Sequence, residues 1–89
     1  MLFRWNEWNI EHIARHGIRP EEAEYVVRRA KRPYPRRLGG GKYVVRGPTA
    51  AGRCIQVIYV FDPEEARYVI HARPLTDRDR RRYRRGSQR

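Results

Sequence analysis

Apolar residues recur at two different spacings along this chain, and the change from one to the other divides it. The first third is helical in spacing. Ile10, Ile13 and Ala14 share one face of a helix. Asn6 can cap that helix, with Glu7 at its positive end. Gly17 supplies a left-handed stop after His16. Pro20 opens a second helix at its first position, with Glu21 and Glu22 in the first turn. Ala23, Val26, Val27 and Ala30 make an apolar stripe. Arg28, Arg29, Lys31 and Arg32 close it, where cations suit a helix C-terminus. Ahead of both helices, Leu2 to Trp5 reads as a short opening strand.

From Lys42 the period falls to two. Lys42 to Arg46 reads as a strand and Gly47 to Gly52 as a turn. Arg53 to Phe61 is the strongest strand, rich in β-branched and aromatic residues. Asp62-Pro63-Glu64-Glu65 turns the chain into another strand, Arg67 to Arg73. Between helices and strands, RPYPRRLGGG (Arg32 to Gly41) reads as a mobile loop, because two prolines interrupt pairing and three glycines loosen the backbone. Pro74 ends the last strand. Thr76, with Asp79 three residues on, resembles a capping box and opens a final helix near Asp77 that frays around Gly86.

The order β-α-α-β-β-β-α predicts one small α+β domain. It has an antiparallel sheet, two helices on one face and a basic C-terminal helix, with the opposite face left for solvent or a ligand. Alternation along the last strand puts Arg67, Val69, His71 and Arg73 on that open face. Tyr68, Ile70 and Ala72 then face the helices.

Charge narrows the function. A formal net charge of +11 on 89 residues points to an anionic partner, because self-repulsion on this scale opposes compaction. Of the 21 basic residues only Lys31 and Lys42 are lysines. That bias fits the bidentate fork that arginine offers to phosphate, and it equally fits a GC-rich genome. A chain this short has room for one modest core and a shallow surface site, not an enclosed cofactor cavity, and no cofactor is expected. Cys54 is alone, so no internal disulfide can form, and it reads as a small buried strand hydrophobe. There is no apolar run near roughly 18 residues and no secretory pattern. A soluble cytoplasmic protein with no membrane partner is the expectation. His12 and His16 lie four apart on a helix but lack a zincin-type glutamate between them, so no metal site is expected.

Phe3-Arg4-Trp5, HIARHG (12–17), PEEAEYVV (20–27), Gly52-Arg53 before the long strand, IHAR (70–73) and RRRYRR (80–85) together resemble the BrnT toxin family. The resemblance spans nearly the whole chain in order. It implies a RelE/ParE-type fold, a single RelE-like domain over residues 1–85 and a basic frayed tail at 86–89. It also implies a toxin of a type II toxin–antitoxin system, an endoribonuclease that inhibits translation by acting on RNA, with ribosome dependence left open. Its partner would be a cognate acidic or DNA-binding antitoxin, held in a hetero-oligomer. Family residues carry over at Arg53, Arg73 and Tyr83, with His16-Gly17 as the helix-ending signature. The chain departs from the family in having His71 where a serine precedes Ala-Arg, and in its Pro/Gly middle loop.

Cleavage of RNA without a metal needs a base for the 2′-hydroxyl, cations for the phosphorane and an acid for the leaving 5′-oxygen. His71 suits either proton-transfer role, or is an inert polar sheet residue. Arg73 either clamps the scissile phosphate or pairs with Asp77 or Asp79. Arg53 begins the neighbouring strand and would complete a two-arginine phosphate site with Arg73 if the register brings them together. Tyr83 either stacks on a base or donates a proton, or else packs the final helix down. Lys42, Arg46, Arg78, Arg81, Arg82 and Arg85 would track phosphates without reading sequence. The same basic surface also suits a non-catalytic RNA- or DNA-binding protein, or the docking face of an antitoxin. Exposure of Trp8 would mark a partner contact.

Overall fold

The computed structural model describes residues 1–87. Helix α1 (Glu7–Ala14) is fastened at its start by two asparagines. The Asn6 side chain accepts from the Asn9 N–H at 3.2 Å, and Asn9 Oδ1 accepts from the Asn6 N–H at 2.8 Å. This reciprocal capping box satisfies two amide donors that a helix N-terminus otherwise leaves open. Asn9 is fully buried, and its amide also donates to the Arg4 carbonyl at 3.0 Å. One side chain thus joins α1 to strand β1 (Phe3–Arg4). Gly17, at φ 71°, ends the turn after α1, and Pro20 opens α2 (Pro20–Arg28) as its pattern predicts.

Strands β2 (Arg36–Gly39), β3 (Lys42–Pro48), β4 (Cys54–Phe61) and β5 (Arg67–Pro74) follow, and then helix α3 (Asp77–Ser87). They form one five-stranded sheet in the order β1-β5-β4-β3-β2. Both early helices pack on one face. Ile13 and Ile18, with Ala23, Val26 and Val27 of α2, meet Val45, Ile55, Val57, Tyr59, Val69 and Ala72 in a single buried cluster. The α+β class and the two-helices-on-one-face arrangement are those expected from the sequence. No described helix is long and apolar enough to cross a membrane.

Three details differ from expectation. The segment read as a loop contains β2, which pairs with β3 through Arg36↔Val44 and Arg37↔Tyr43. The glycines form a tight hairpin instead of a mobile stretch. Gly40 and Gly41 have φ of 61° and 76°, the left-handed pair that a two-residue turn between antiparallel strands requires. The prolines stop at Pro35, before pairing begins, and β2 is an exposed edge. Second, the sheet is mixed, because β1 runs parallel to β5 (Phe3↔Arg67, Arg4↔Tyr68). The intervening helices α1 and α2 supply the crossover that a parallel pair needs.

Third, β5 carries a bulge. Ile58 pairs with His71 and Tyr59 with Val69, so Ile70 is the unpaired extra residue. The bulge breaks strict alternation. Val69 turns into the core with Ala72, both at 0% exposure, instead of sharing the open face with His71. Tyr68, paired with Val60, stays out of the core and meets α1 at its start, where its hydroxyl donates to Asn6. At the C-terminal end, Thr76 Oγ1 accepts from the Asp79 N–H at 3.1 Å, as a cap should. Helix α3 continues through Gly86 to Ser87, and residues 88–89 of the expected tail lie outside the described residues.

Asn9→Ala should lower unfolding free energy by about 1–3 kcal/mol, since it removes the partners of the Asn6 amide and of the Arg4 carbonyl. Urea denaturation of both proteins measures it; a change below the fitting error would show that the capping box does not hold α1 on the sheet.

Candidate nucleic-acid interface

The register of the three long strands builds the open face row by row. Val57 and Tyr59 of β4 point to the core, so Gln56 and Ile58 point away from it. Gln56 lies opposite Arg46 on β3 and opposite Arg73 on β5. The result is a row, Arg46–Gln56–Arg73, with the two arginines two strands, or about 10 Å, apart. Arg46 Nε donates to Gln56 Oε1 at 2.9 Å, and Gln56 itself is buried. A neutral amide held between two guanidiniums spaces the charges and orients one of them. The adjacent row pairs Ile58 with His71.

Arg73 is partly engaged. Its Nη1 donates to Asp79 Oδ2 at 3.0 Å and to the Pro74 carbonyl at 3.1 Å. The contact ties α3 to the end of β5, and the Arg73 guanidinium holds the Asp79 carboxyl below the usual carboxylate range. The ion pair weighed as an alternative for Arg73 therefore forms with Asp79, while Asp77 faces Arg80 at 3.8 Å.

Arg53 does not join Arg73. Its Nη2 donates to the Gly17 carbonyl at 2.9 Å and to Glu22 Oε2 at 3.2 Å, which staples the α1–α2 connection to the sheet. The cause is register: β4 begins at Cys54, so Arg53 belongs to the preceding turn and follows its own direction. The residue that shares a row with Arg73 is Arg46, not Arg53.

His71 stands in a cluster that the sequence reading did not assemble. Its ring centroid lies 5.6 Å from that of His16 and 6.5 Å from that of His12, both edge-on. These are the only three histidines in the chain. Helix α1 delivers His12, and the turn that follows it delivers His16, because α1 packs along β5. Trp8, one turn before His12, stacks on it at 4.8 Å and lies 6.3 Å from Tyr68, whose hydroxyl donates to Asn6. Trp8 is 54% exposed, the condition under which a partner contact was expected there. Burial, and then the neighbouring His16, Arg73 and His12, hold the His71 imidazole below its ordinary value, so it is neutral at pH 7. The i, i+4 spacing of His12 and His16 was a visible signal, but only the parallel β1–β5 pairing shows that this helix face meets His71. Among the described residues no three His, Cys, Asp or Glu side chains are placed to hold a metal ion.

Tyr83 lies elsewhere, half-buried against Tyr34 (6.2 Å between rings) and Gly47. Burial, followed by Cys54 and Tyr34, raises its phenol above the ordinary value. Lys42 sits at the β2–β3 hairpin with Arg37 and Tyr43, away from the arginine row. Arg78, Arg81, Arg82 and Arg85 are exposed along α3. No protein-family model, curated protein or solved structure matches the chain.

Because the folded state disfavours a charged His71, the unfolded chain binds more protons once pH falls below the ordinary value of 6.5. Stability should therefore decline as pH drops from about 6.5 and level off below the folded pKa. His71→Gln should flatten that decline. Urea midpoints between pH 7.5 and 4.5 read it, and identical slopes for the two proteins would show that the cluster does not penalise protonation.

Proposed function

We propose that this chain is a metal-independent endoribonuclease, the toxin component of a BrnT-like type II toxin–antitoxin pair, which inhibits translation by cutting RNA. The observation that carries the reading is the gathering of two imidazoles, His12 and His16, around a neutral His71, beside the Arg46–Gln56–Arg73 row of an open sheet face. The whole-chain resemblance to BrnT-like toxins supports the same assignment.

The chemistry follows from the placement. A neutral His71 takes the proton of a ribose 2′-hydroxyl. The 2′-oxygen attacks the adjacent phosphorus, and the bond from phosphorus to the 5′-oxygen breaks. His16, its ring 5.6 Å from that of His71, is the group placed to give a proton to the departing 5′-oxygen, leaving a 2′,3′-cyclic phosphate and a 5′-hydroxyl. Negative charge gathering on the phosphorane faces Arg46 and Arg73, fixed donors that need no reorganisation as the charge develops. The exposed arginines of α3 hold flanking phosphates by charge alone. An acidic or DNA-binding antitoxin would neutralise the protein by covering this cationic face.

A second reading, a basic protein that binds nucleic acid or an antitoxin without chemistry, draws on the engagement of Arg53 with Glu22 and of Arg73 with Asp79. The two readings part on one set of variants. His71→Ala should slow cleavage of a short RNA by about 10²–10⁴-fold with little change in RNA affinity. Arg46→Ala should weaken binding and reduce the salt slope by roughly one. If His71→Ala cleaves as fast as the wild type, the proposed base is wrong. If neither protein cleaves while both bind RNA, the binding reading replaces the enzyme.

A further inference from the structure

On the side of the arginine row away from His71, a cavity of about 220 Å³ opens between α2, the end of β3 and α3. Tyr25 and Tyr83 provide its aromatic surfaces. Arg29, Lys31 and Arg46 supply its cations, and no carboxylate lines it. Arg29 rests on the Tyr25 ring, with its guanidinium carbon 3.8 Å from the ring centre, so one flat, delocalised group already stacks on this aromatic surface and offers its own plane to another. The floor is Gly47. A Cβ at that position would make ordinary contact with Val26 Cγ1 at 3.5 Å and with the Tyr83 hydroxyl at 3.9 Å, so a larger branched side chain there would reach into the hollow.

We propose that this pocket is a nucleobase subsite, which takes one base of the bound RNA while Arg46 and Lys31 hold the phosphate attached to the same nucleotide. Volume argues for a single base. It is smaller than the roughly 300–1,000 Å³ of pockets that accept drug-sized ligands. Composition argues for a nucleotide over an aliphatic ligand, because two phenol rings and a guanidinium offer stacking surfaces and the rim is purely cationic. Connectivity argues for the same substrate. Arg46 belongs both to this pocket and to the row that ends at Arg73. A chain with its scissile phosphate on that row passes a neighbouring nucleotide over the opening. The inference rests on the proposed RNA chemistry for its biological meaning. The pocket's affinity for a nucleotide needs no cleavage.

The test titrates the full-length protein with AMP, GMP, CMP and UMP, with ribose 5-phosphate as the base-free control, and follows amide and tyrosine-ring NMR signals. At least one nucleotide should shift Tyr25, Gly47 and Tyr83, and should bind about tenfold or more tightly than ribose 5-phosphate. Gly47→Val should fill the hollow and abolish that preference. Arg29→Ala, at an exposed helix end where folding is not at risk, should weaken nucleotide binding about tenfold. Ribose 5-phosphate binding as tightly as the nucleotides would overturn the base subsite, as would shifts confined to residues around His71. A glutamate-rich peptide that shifts the pocket while no nucleotide does would assign it to an acidic protein segment instead. A protein that cleaves RNA yet binds no base here keeps its proposed function and loses this subsite. One that binds nucleotides and cleaves nothing does the reverse.

Discussion

The pairing of β4 with β5, including its one-residue bulge at Ile70, is the constraint on which the rest of the molecule depends. Side chains alternate across a strand, so a slip of one residue exchanges core and surface along its whole length. Here the bulge lets two demands coexist on one strand. Val69 and Ala72 both enter the core, although they stand three positions apart, and His71 and Arg73 still face outward. Without the extra residue, Val69 would stand on the open face whenever His71 did. The same pairing sets Gln56 beside Arg73, and β3 then brings Arg46 to Gln56. Charged row, imidazole cluster and apolar core are consequences of one register.

Charge is distributed unevenly over this frame. Arg4, Arg19, Arg28, Arg53, Arg73 and Arg80 meet carboxylates. Such exposed pairs contribute little individually, about 0.2–1 kcal/mol. Their arrangement matters more than their sum. Arg4 closes the β4–β5 turn through Asp62, whose carboxyl the guanidinium holds below its usual range. Arg53 locks the α1–α2 connection, and Arg73 fastens α3. Acidic residues are thereby concentrated at structural joints. Arg46 donates to a neutral amide, Gln56, leaving the middle of the open face cationic.

Much of this was legible in the sequence. Asn6, Gly17, Pro20 and Thr76 act by local geometry, and each sits where its chemistry predicts. The long strands follow from β-branched runs of period two, and the outward direction of His71 and Arg73 was correctly anticipated. What escaped was non-local. Three successive glycines read as looseness, yet two of them make a hairpin because strands stand on either side. Nothing in residues 67–73 marks Ile70 as the bulge, since Tyr68, Val69 and Ile70 are all competent core residues. Arg53 looked like a strand residue in line with Arg73 because a boundary error of one residue changes where a side chain points. His12 and His16 carried a visible spacing, but their meeting with His71 depends on the parallel return of β1 to β5, a pairing across more than sixty positions.

In the proposed function the imidazole cluster moves protons between ribose and leaving oxygen without a metal. The direct measurement is the chemistry of the ends left on a short defined RNA, incubated with purified protein in excess EDTA and read by mass spectrometry. Fragments that end in a 2′,3′-cyclic phosphate and begin with a 5′-hydroxyl are the predicted result. Fragments with 3′-hydroxyl and 5′-phosphate ends, or cleavage that EDTA abolishes, would contradict it.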